Sequence, residues 1–390
     1  MRLRNAERVT NGADKPNNIA RPLVSILVPV FNVESYLTQC LSSICAQTLQ
    51  NIEVICINDG STDGSLEVIR HFADADARIV VIDKPNSGYG HSLNLGLQKA
   101  HGDYIGIVES DDFIDPQMFE TLYQAAVEES AQIVKSDFYL TWTAPRAREE
   151  YFNAVPPTLA GRLVVPWRSY QVMQPQPSIW SALYEKHFLL DNGIDFLESP
   201  GASFQDTSFN YAAWSAADRV FLLGQAWLHY RQDNQGSSIN DSTKVNAVAK
   251  EIERYFCWLD GFTGSGEASG DAHANAPENL AERKRQLRLI MQGIVYKTFR
   301  WNILRVAPPL RPGFFAYMCD YFTKASEQGL LLPEYFEFDF FDEAMLLVKD
   351  PDTYLKLIKA STPPFSRAKR LLYYLSHAGL KATLKRVAHA

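Results

Sequence analysis

Three carboxylates, Glu109, Asp111 and Asp112, stand within four positions directly after the apolar run 104–108, "YIGIV". Like charges this close raise each other's pKa and destabilise the local fold unless a cation or a proton sits among them. A pair of adjacent carboxylates after a buried strand suits a hard divalent ion. Mg2+ or Mn2+ takes one or two protein carboxylates and leaves its other positions to substrate phosphates. The alternative is a turn-and-cap cluster, since Asp and Ser often sit in turns. Asp115 before Pro116 already offers a helix cap, so Asp111 and Asp112 are surplus to that task.

Two further polar clusters invite chemistry. In "NDGSTDGS" (58–65), Asp59 closes an apolar run, where its side chain can accept hydrogen bonds from a base N–H or a ribose hydroxyl. A turn and cap before a helix is the plainer reading. In "PNSGYGHSLNLG" the glycines fall at 88, 90 and 96, which is G-x-G-x5-G and not the dinucleotide fingerprint G-x-G-x-x-G. The reading that remains is a tight turn at Asn86 to Gly88 whose backbone N–H groups approach an anionic ligand. A Walker A motif is absent.

The elements that must position these residues alternate. "LVSILVPV" (23–30), "IEVICIN" (52–58), "RIVVID" (78–83), "YIGIV" (104–108) and "AQIVKSDFYL" (131–140) read as strands, the first buried on both faces. Helical spacing lies between them: from Asn32 as N-cap through residue 48, after "STDGS", at "HSLNLGLQKAHG" closed by Gly102, and from Asp115–Pro116 to about Glu129. Short connections predict right-handed βαβ units and a mostly parallel sheet. In such sheets ligands bind beyond the carboxyl ends of the strands. "PVFN", "NDGSTD", "PNSGYG" and "ESDD" each follow a strand, so four loops converge on one edge.

Between 141 and 178 the pattern breaks, with Pro at 145, 156, 157, 166, 175 and 177. Residues 261–279 are Gly-, Ala- and Ser-rich and read as a flexible stretch, after which helical segments follow. The reading is therefore a polar tail (1–21), an α/β domain (22–240) and a mainly α-helical C-terminal region (241–390).

The whole chain has 390 residues, 46% apolar, with a formal net charge of −7. That charge argues against a nucleic-acid binder, which would carry a basic face. Five cysteines without a CxxC pair predict free thiols in a reducing compartment. The N-terminus lacks an apolar core segment, and no apolar run approaches the roughly 18 residues of a membrane span. A cytoplasmic protein is expected. Residues 353–390 contain eight Lys or Arg and no Asp or Glu, and 368–387 read as a basic amphipathic helix. That helix either packs with a solvated basic face or docks on the anionic inner face of the cell membrane.

"VSILVPVFN-x-E-S-YL", "IEVICINDGSTDGS", "NSGYGHSLNLGLQKAHGDYIGIVESDD" and "QDTSF", in this order and spacing, resemble the family-2 glycosyltransferases over roughly residues 22–240. The resemblance implies a GT-A fold, Rossmann-like with a mostly parallel central sheet flanked by helices. It also implies single-displacement, inverting transfer from a nucleotide-sugar donor, usually of UDP, to a glycan or lipid-linked acceptor. Pro29, Phe31, Glu34 and Asp59 then fall in the nucleotide pocket. Asp111 and Asp112 take the metal and donor-sugar positions, with Asp112 the direct ligand of Mn2+ or Mg2+. Asp206 falls where the family keeps its catalytic base. His229 and Arg231 fall in a segment that closes over the diphosphate, Arg231 as a phosphate contact and His229 either as an extra metal ligand or as a structural histidine. Trp180 reads either as an acceptor-side platform or as a core tryptophan. Three positions depart from the family pattern: Glu109 and Leu93 stand where it usually has Asp and Arg, and Gln205 where it has Glu. Two rival classes are a nucleotide-sugar binder without turnover, against which Asp206 argues, and a sugar-1-phosphate nucleotidyltransferase, whose Gly- and Arg-rich N-terminal loop "VPVFNVESY" does not resemble.

Overall fold

Seven consecutive buried residues, Val24–Val30, form β1 at the centre of the sheet. A strand so apolar on both faces needs a layer of helices on each side. The structure, a computed structural model, describes residues 8–9, 21–175, 177–202, 204–234, 236, 241–264, 277–337 and 339–361. After β1 come α1 (Glu34–Cys45), β2 (Ile52–Asp59), α2 (Ser65–Ala75), β3 (Ile79–Lys84), α3 (Tyr89–Lys99) and β4 (Tyr104–Ile107). Strands β3, β2, β1 and β4 lie side by side, all parallel. Arg8 and Val9 add a short antiparallel pairing outside β3.

Beyond β4 the sheet becomes mixed. β5 (Phe113–Ile114), α4 (Met118–Glu128), β6 (Ile133–Trp142), β7 (Arg148–Phe152) and β8 (Arg162–Val164) are followed by β9 (Ala182–Glu185), α5 (Lys186–Asp191), α6 (Asp206–Ala216) and β10 (Val220–Arg231). The order runs on as β4-β9-β6-β10-β5, with β7 on β6 and β8 on β10. The long β6–β10 pairing is parallel, and the shorter strands join antiparallel. The core sits on both faces of this sheet. Gly96 of α3 lies on Leu27 and Ile57, and on β4 a Cβ at Gly106 would fall 2.2 Å from the Phe119 ring of α4.

Two helix starts differ from the sequence expectation. Asn32 is not the N-cap of α1: it takes φ 51°, and the helix begins at Glu34. The neighbouring loop caps it instead. Val33 N donates to Ser65 Oγ (3.0 Å) and Glu34 N to Asp63 Oδ2 (3.1 Å), while Gly64 N donates back to Glu34 Oε2 (2.9 Å). The first turns of α1 and α2 therefore satisfy each other's free N–H groups. Helix α4 begins at Met118 with Gln117 as its cap, and the Asp115 side chain turns to His229. Residues 141–178, where no period was legible, contain β7 and β8. β7 is almost wholly exposed, so no apolar alternation marks it.

The chain divides into two compact units, one of residues 1–240 and 253–280 and one of 241–252 and 281–390. The division falls inside α7 (Ala247–Gly261). The second unit contains most of α8 (Pro277–Arg305) with α9 (Arg311–Glu327), α10 (Phe340–Lys349) and α11 (Pro351–Ser361). Inside it the buried Glu343 carboxylate accepts from Arg300 Nε (2.6 Å) and Tyr296 Oη (2.9 Å). Among the described residues no helix is long and apolar enough to cross a membrane. The basic segment 368–387, nearly all of the polar tail 1–21 and most of the stretch 261–279 lie outside the described residues.

Candidate active site

The turn after β4 folds the "ESDD" carboxylates inward, with Asp112 N donating to the Glu109 carbonyl (3.0 Å). Asp112 is 1% exposed. Its Oδ1 accepts the Arg231 backbone N–H at 2.8 Å, whereas its Oδ2 is buried with no hydrogen-bond partner. Burial above all, then the charge of Asp111, pushes the Asp112 carboxyl well above the usual carboxylate range, against the opposing pull of the Arg231 N–H. A buried carboxylate left half satisfied is costly unless a cation or proton completes it. Asp111 is held from the side: its Oδ2 accepts Asn234 Nδ2 (2.7 Å), and its carbonyl accepts Arg231 Nε (2.8 Å).

Arg231 and His229 form the wall behind this corner. The Arg231 guanidinium also reaches Gln39 Oε1 (2.7 Å) and stacks over Tyr36 at 4.8 Å. Both His229 ring nitrogens face carboxylates outside the corner, Nδ1 at 2.7 Å from Glu149 and Nε2 at 3.3 Å from Asp115. Its ring is sandwiched between Phe113 (4.3 Å) and Tyr139 (5.1 Å). Among the described residues, no three His, Cys, Asp or Glu side chains come together as a metal-binding group.

Asp206 is the first residue of α6. Its carboxylate accepts its own N–H, the Thr207 N–H and the Thr207 hydroxyl, which favour the charged form, as a helix N-terminus does. Burial outweighs them and raises its pKa to about 6. The charge of Asp206 reaches the phenols of Tyr89, Tyr184, Tyr211 and Tyr230. It also reaches Glu109, whose pKa burial raises to about 8, with Asp111 and Asp206 adding to the rise and a 2.5 Å hydrogen bond from Tyr89 Oη opposing it. Before Asp206, Gln205 Nε2 ties α6 to Ser199 Oγ (2.8 Å) and the Gly201 carbonyl (3.0 Å).

The glycine loop is engaged with protein. A Cβ at Gly88, which has φ 96°, would meet the Ser199 carbonyl at 2.5 Å, and one at Gly90 the Leu197 carbonyl at 2.2 Å. Gly88 N donates to Asp59 Oδ2 (3.0 Å) and Ser87 N to Asp59 Oδ1 (2.7 Å). Asp59 also pairs with Lys84, and both side chains are nearly inaccessible. Asn86 lies beside Gly60, its backbone N 2.7 Å from where a Gly60 Cβ would stand. Pro29 is buried within β1, Phe31 just beyond it is 47% exposed, and Glu34 is occupied by the Gly64 N–H. Trp180 is 6% exposed, in edge contact with Phe138 (4.5 Å) and tilted on Tyr230 (4.8 Å). That is a core position.

Removing Lys84 leaves Asp59 as an unpaired buried charge. Lys84→Met should cost about 3–5 kcal/mol of stability, measurable as a lowered denaturation midpoint. A change below about 1 kcal/mol would mean that the backbone N–H groups alone satisfy Asp59.

Sequence reasoning missed Lys84, Tyr89 and Tyr230. The first had a readable signal, because the parallel register places Asp59 directly opposite Lys84. Tyr89 and Tyr230 carry no local signature. Only the packing of α3 and β10 brings them to the carboxylates.

Residues 25–161 match the model for Glycosyl transferase family 2. Relatives include the uncharacterized glycosyltransferase EpsJ of Bacillus subtilis, 34% identical over 54% of this chain and 62% of its own length. Another is glycosyltransferase GlyA of Streptococcus pneumoniae, 44% identical over 30% of this chain and 17% of its own length. The chain spans less than two thirds of the length of these relatives. Among solved structures, residues 1–349 of Staphylococcus aureus TarS align with a TM-score of 0.63 and 18% identity, covering 87% of this chain and 90% of that one. This likeness is one of fold, and it is the GT-A fold. The match to glycosyltransferase family 2 thus lies within the α/β domain, over residues 25–161.

Proposed function

We propose that this chain transfers a sugar from a UDP-sugar to a hydroxyl of a glycan or lipid-linked acceptor, with inversion and with a divalent cation. The observation that carries this reading is the unpartnered, buried Asp112 Oδ2, with Asp206, a carboxyl whose pKa is about 6, near enough that the Tyr230 phenol feels the charge of both. The residues fit a hard cation: Asp112 would hold Mn2+ or Mg2+ through that oxygen, with Asp111 beside it. When bound, the ion would neutralise the charge that develops on the departing diphosphate.

The chain's own residues divide the remaining work. Asp206 takes the acceptor hydroxyl's proton, a contribution of roughly 10²–10⁴ in rate. Phe31, exposed at the end of β1, offers a ring to the nucleobase. Asp59 Oδ2 keeps a lone pair beyond its bond from Gly88 and can accept a base N–H, with Lys84 fixing its orientation. Arg231 acts through the loop, because its N–H and Nε hold Asp112 and Asp111 in place. Trp180, as a core residue, supports Tyr230. TarS, whose fold this chain shares, has been solved with UDP and with UDP-GlcNAc, which supports UDP as the nucleotide.

The test is release of UDP from a panel of UDP-sugars with and without Mn2+. Turnover of at least one donor that EDTA abolishes is expected. A wild-type chain that neither binds UDP nor releases it from any donor would contradict the proposal.

A further inference from the structure

Tyr230 is flanked by the two residues that build the wall of the site, yet its own side chain points the other way. Along β10 the side chains alternate, so His229 and Arg231 share one face and Tyr230 takes the opposite one. Its position is fixed twice. Arg231 N, in the next peptide, is bonded to Asp112, and the Tyr230 ring packs on Trp180 at 4.8 Å and against the edge of Phe138 at 6.3 Å. The phenol lies close enough to Asp112, Asp111, Asp206 and Glu109 to feel the charge of all four. It thus lies within electrostatic reach of both the corner that would hold the diphosphate and the carboxylate that would take the acceptor's proton. Among the described residues, its hydroxyl makes no hydrogen bond to protein. The Tyr89 and Tyr184 hydroxyls, by contrast, donate to Glu109 and to the Ile179 carbonyl.

A ligand that touches the diphosphate corner on one side and the base on the other is the group being transferred. We propose that the Tyr230 hydroxyl donates a hydrogen bond to the sugar of the bound donor, with the Trp180 and Phe138 rings holding the phenol in place. An ionised carboxylate such as the proposed base can only accept hydrogen bonds, so a neutral hydroxyl held near it supplies the donor that a sugar oxygen needs. The inference rests on the glycosyltransferase reading above and adds a sugar contact to it.

Tyr230→Phe removes the hydroxyl and keeps the ring, so the packing on Trp180 and Phe138 survives. Calorimetric titrations of UDP and of UDP-GlcNAc, both in Mn2+, give the ratio of the two affinities. In the variant, UDP affinity should stay within about twofold of wild type while the UDP-GlcNAc to UDP ratio falls about fivefold, the worth of one neutral hydrogen bond. An unchanged ratio overturns the inference. So does an equal loss for both ligands, which would place the hydroxyl on the nucleotide or the cation. A wild-type chain that does not bind UDP overturns the transferase reading itself, and this inference with it.

Discussion

Asp206→Asn should reduce sugar transfer by about 10²–10⁴ and leave the protein at least as stable as wild type. The first half follows from its place at the start of α6, where a carboxylate facing the pocket is the available proton acceptor. The second follows from the sign of its pKa shift. The folded-state value of about 6 lies above the unfolded value near 3.8, so the folded protein binds the proton more tightly than the unfolded chain. Stability that is present below the unfolded value is lost as pH rises through about 6. An amide carries no charge to bury, and it can still accept from the Thr207 N–H. Thermal melts at pH 7.5 should therefore show Asp206→Asn equal to or above wild type. A structural Asp206 would show the reverse, a lowered melting temperature together with lost activity. In the wild type, the same group sets the pH profile: transfer should rise from pH 5 to 7 with its midpoint at about 6, because only the ionised carboxylate accepts a proton.

Asp112→Asn should have a comparable effect on a different quantity. The substitution keeps the shape and the oxygen that accepts Arg231 N–H, but it replaces the charged group whose second oxygen stands unpartnered in the pocket. UDP affinity measured in Mn2+ should fall at least about tenfold, to the value wild type shows in EDTA. Mn2+ binding followed by electron paramagnetic resonance should weaken in parallel. Without metal, the variant should melt above wild type at neutral pH, since burial holds the native carboxyl above its ordinary range and charging it there is costly. Unchanged Mn2+ dependence would remove Asp112 from the ligand set.

Much of this site was legible because it lies on chain segments whose local physics is simple. A run such as "VSILVPV" has one comfortable environment, a strand buried on both faces, and it takes that place at the centre of the sheet. Four polar loops after four such strands had to meet at one edge. The helix starts were misread because their N–H groups are satisfied from outside. Asn32 looks like a cap in isolation, yet Asp63 of the next loop and Ser65 at the start of α2 perform that task. Asp115 and Pro116 form a cap-like pair, but the Asp115 carboxylate turns to His229, more than a hundred residues away. β7 escaped notice because an exposed strand has no apolar period to read. Glu109 marks the boundary between the two kinds of information. The sequence showed an unusual Glu at a position where Asp is common. The longer side chain accepts a hydrogen bond from Tyr89, a partner that only packing reveals.

In the proposed division of labour, the Asp111–Asp112 corner holds the cation and diphosphate and Asp206 moves the proton. Titrating UDP into Asp206→Asn in the presence of Mn2+, beside wild type, tests it most directly. UDP should bind the variant within about twofold of wild type although the same preparation has lost turnover. Loss of UDP binding together with turnover would contradict it.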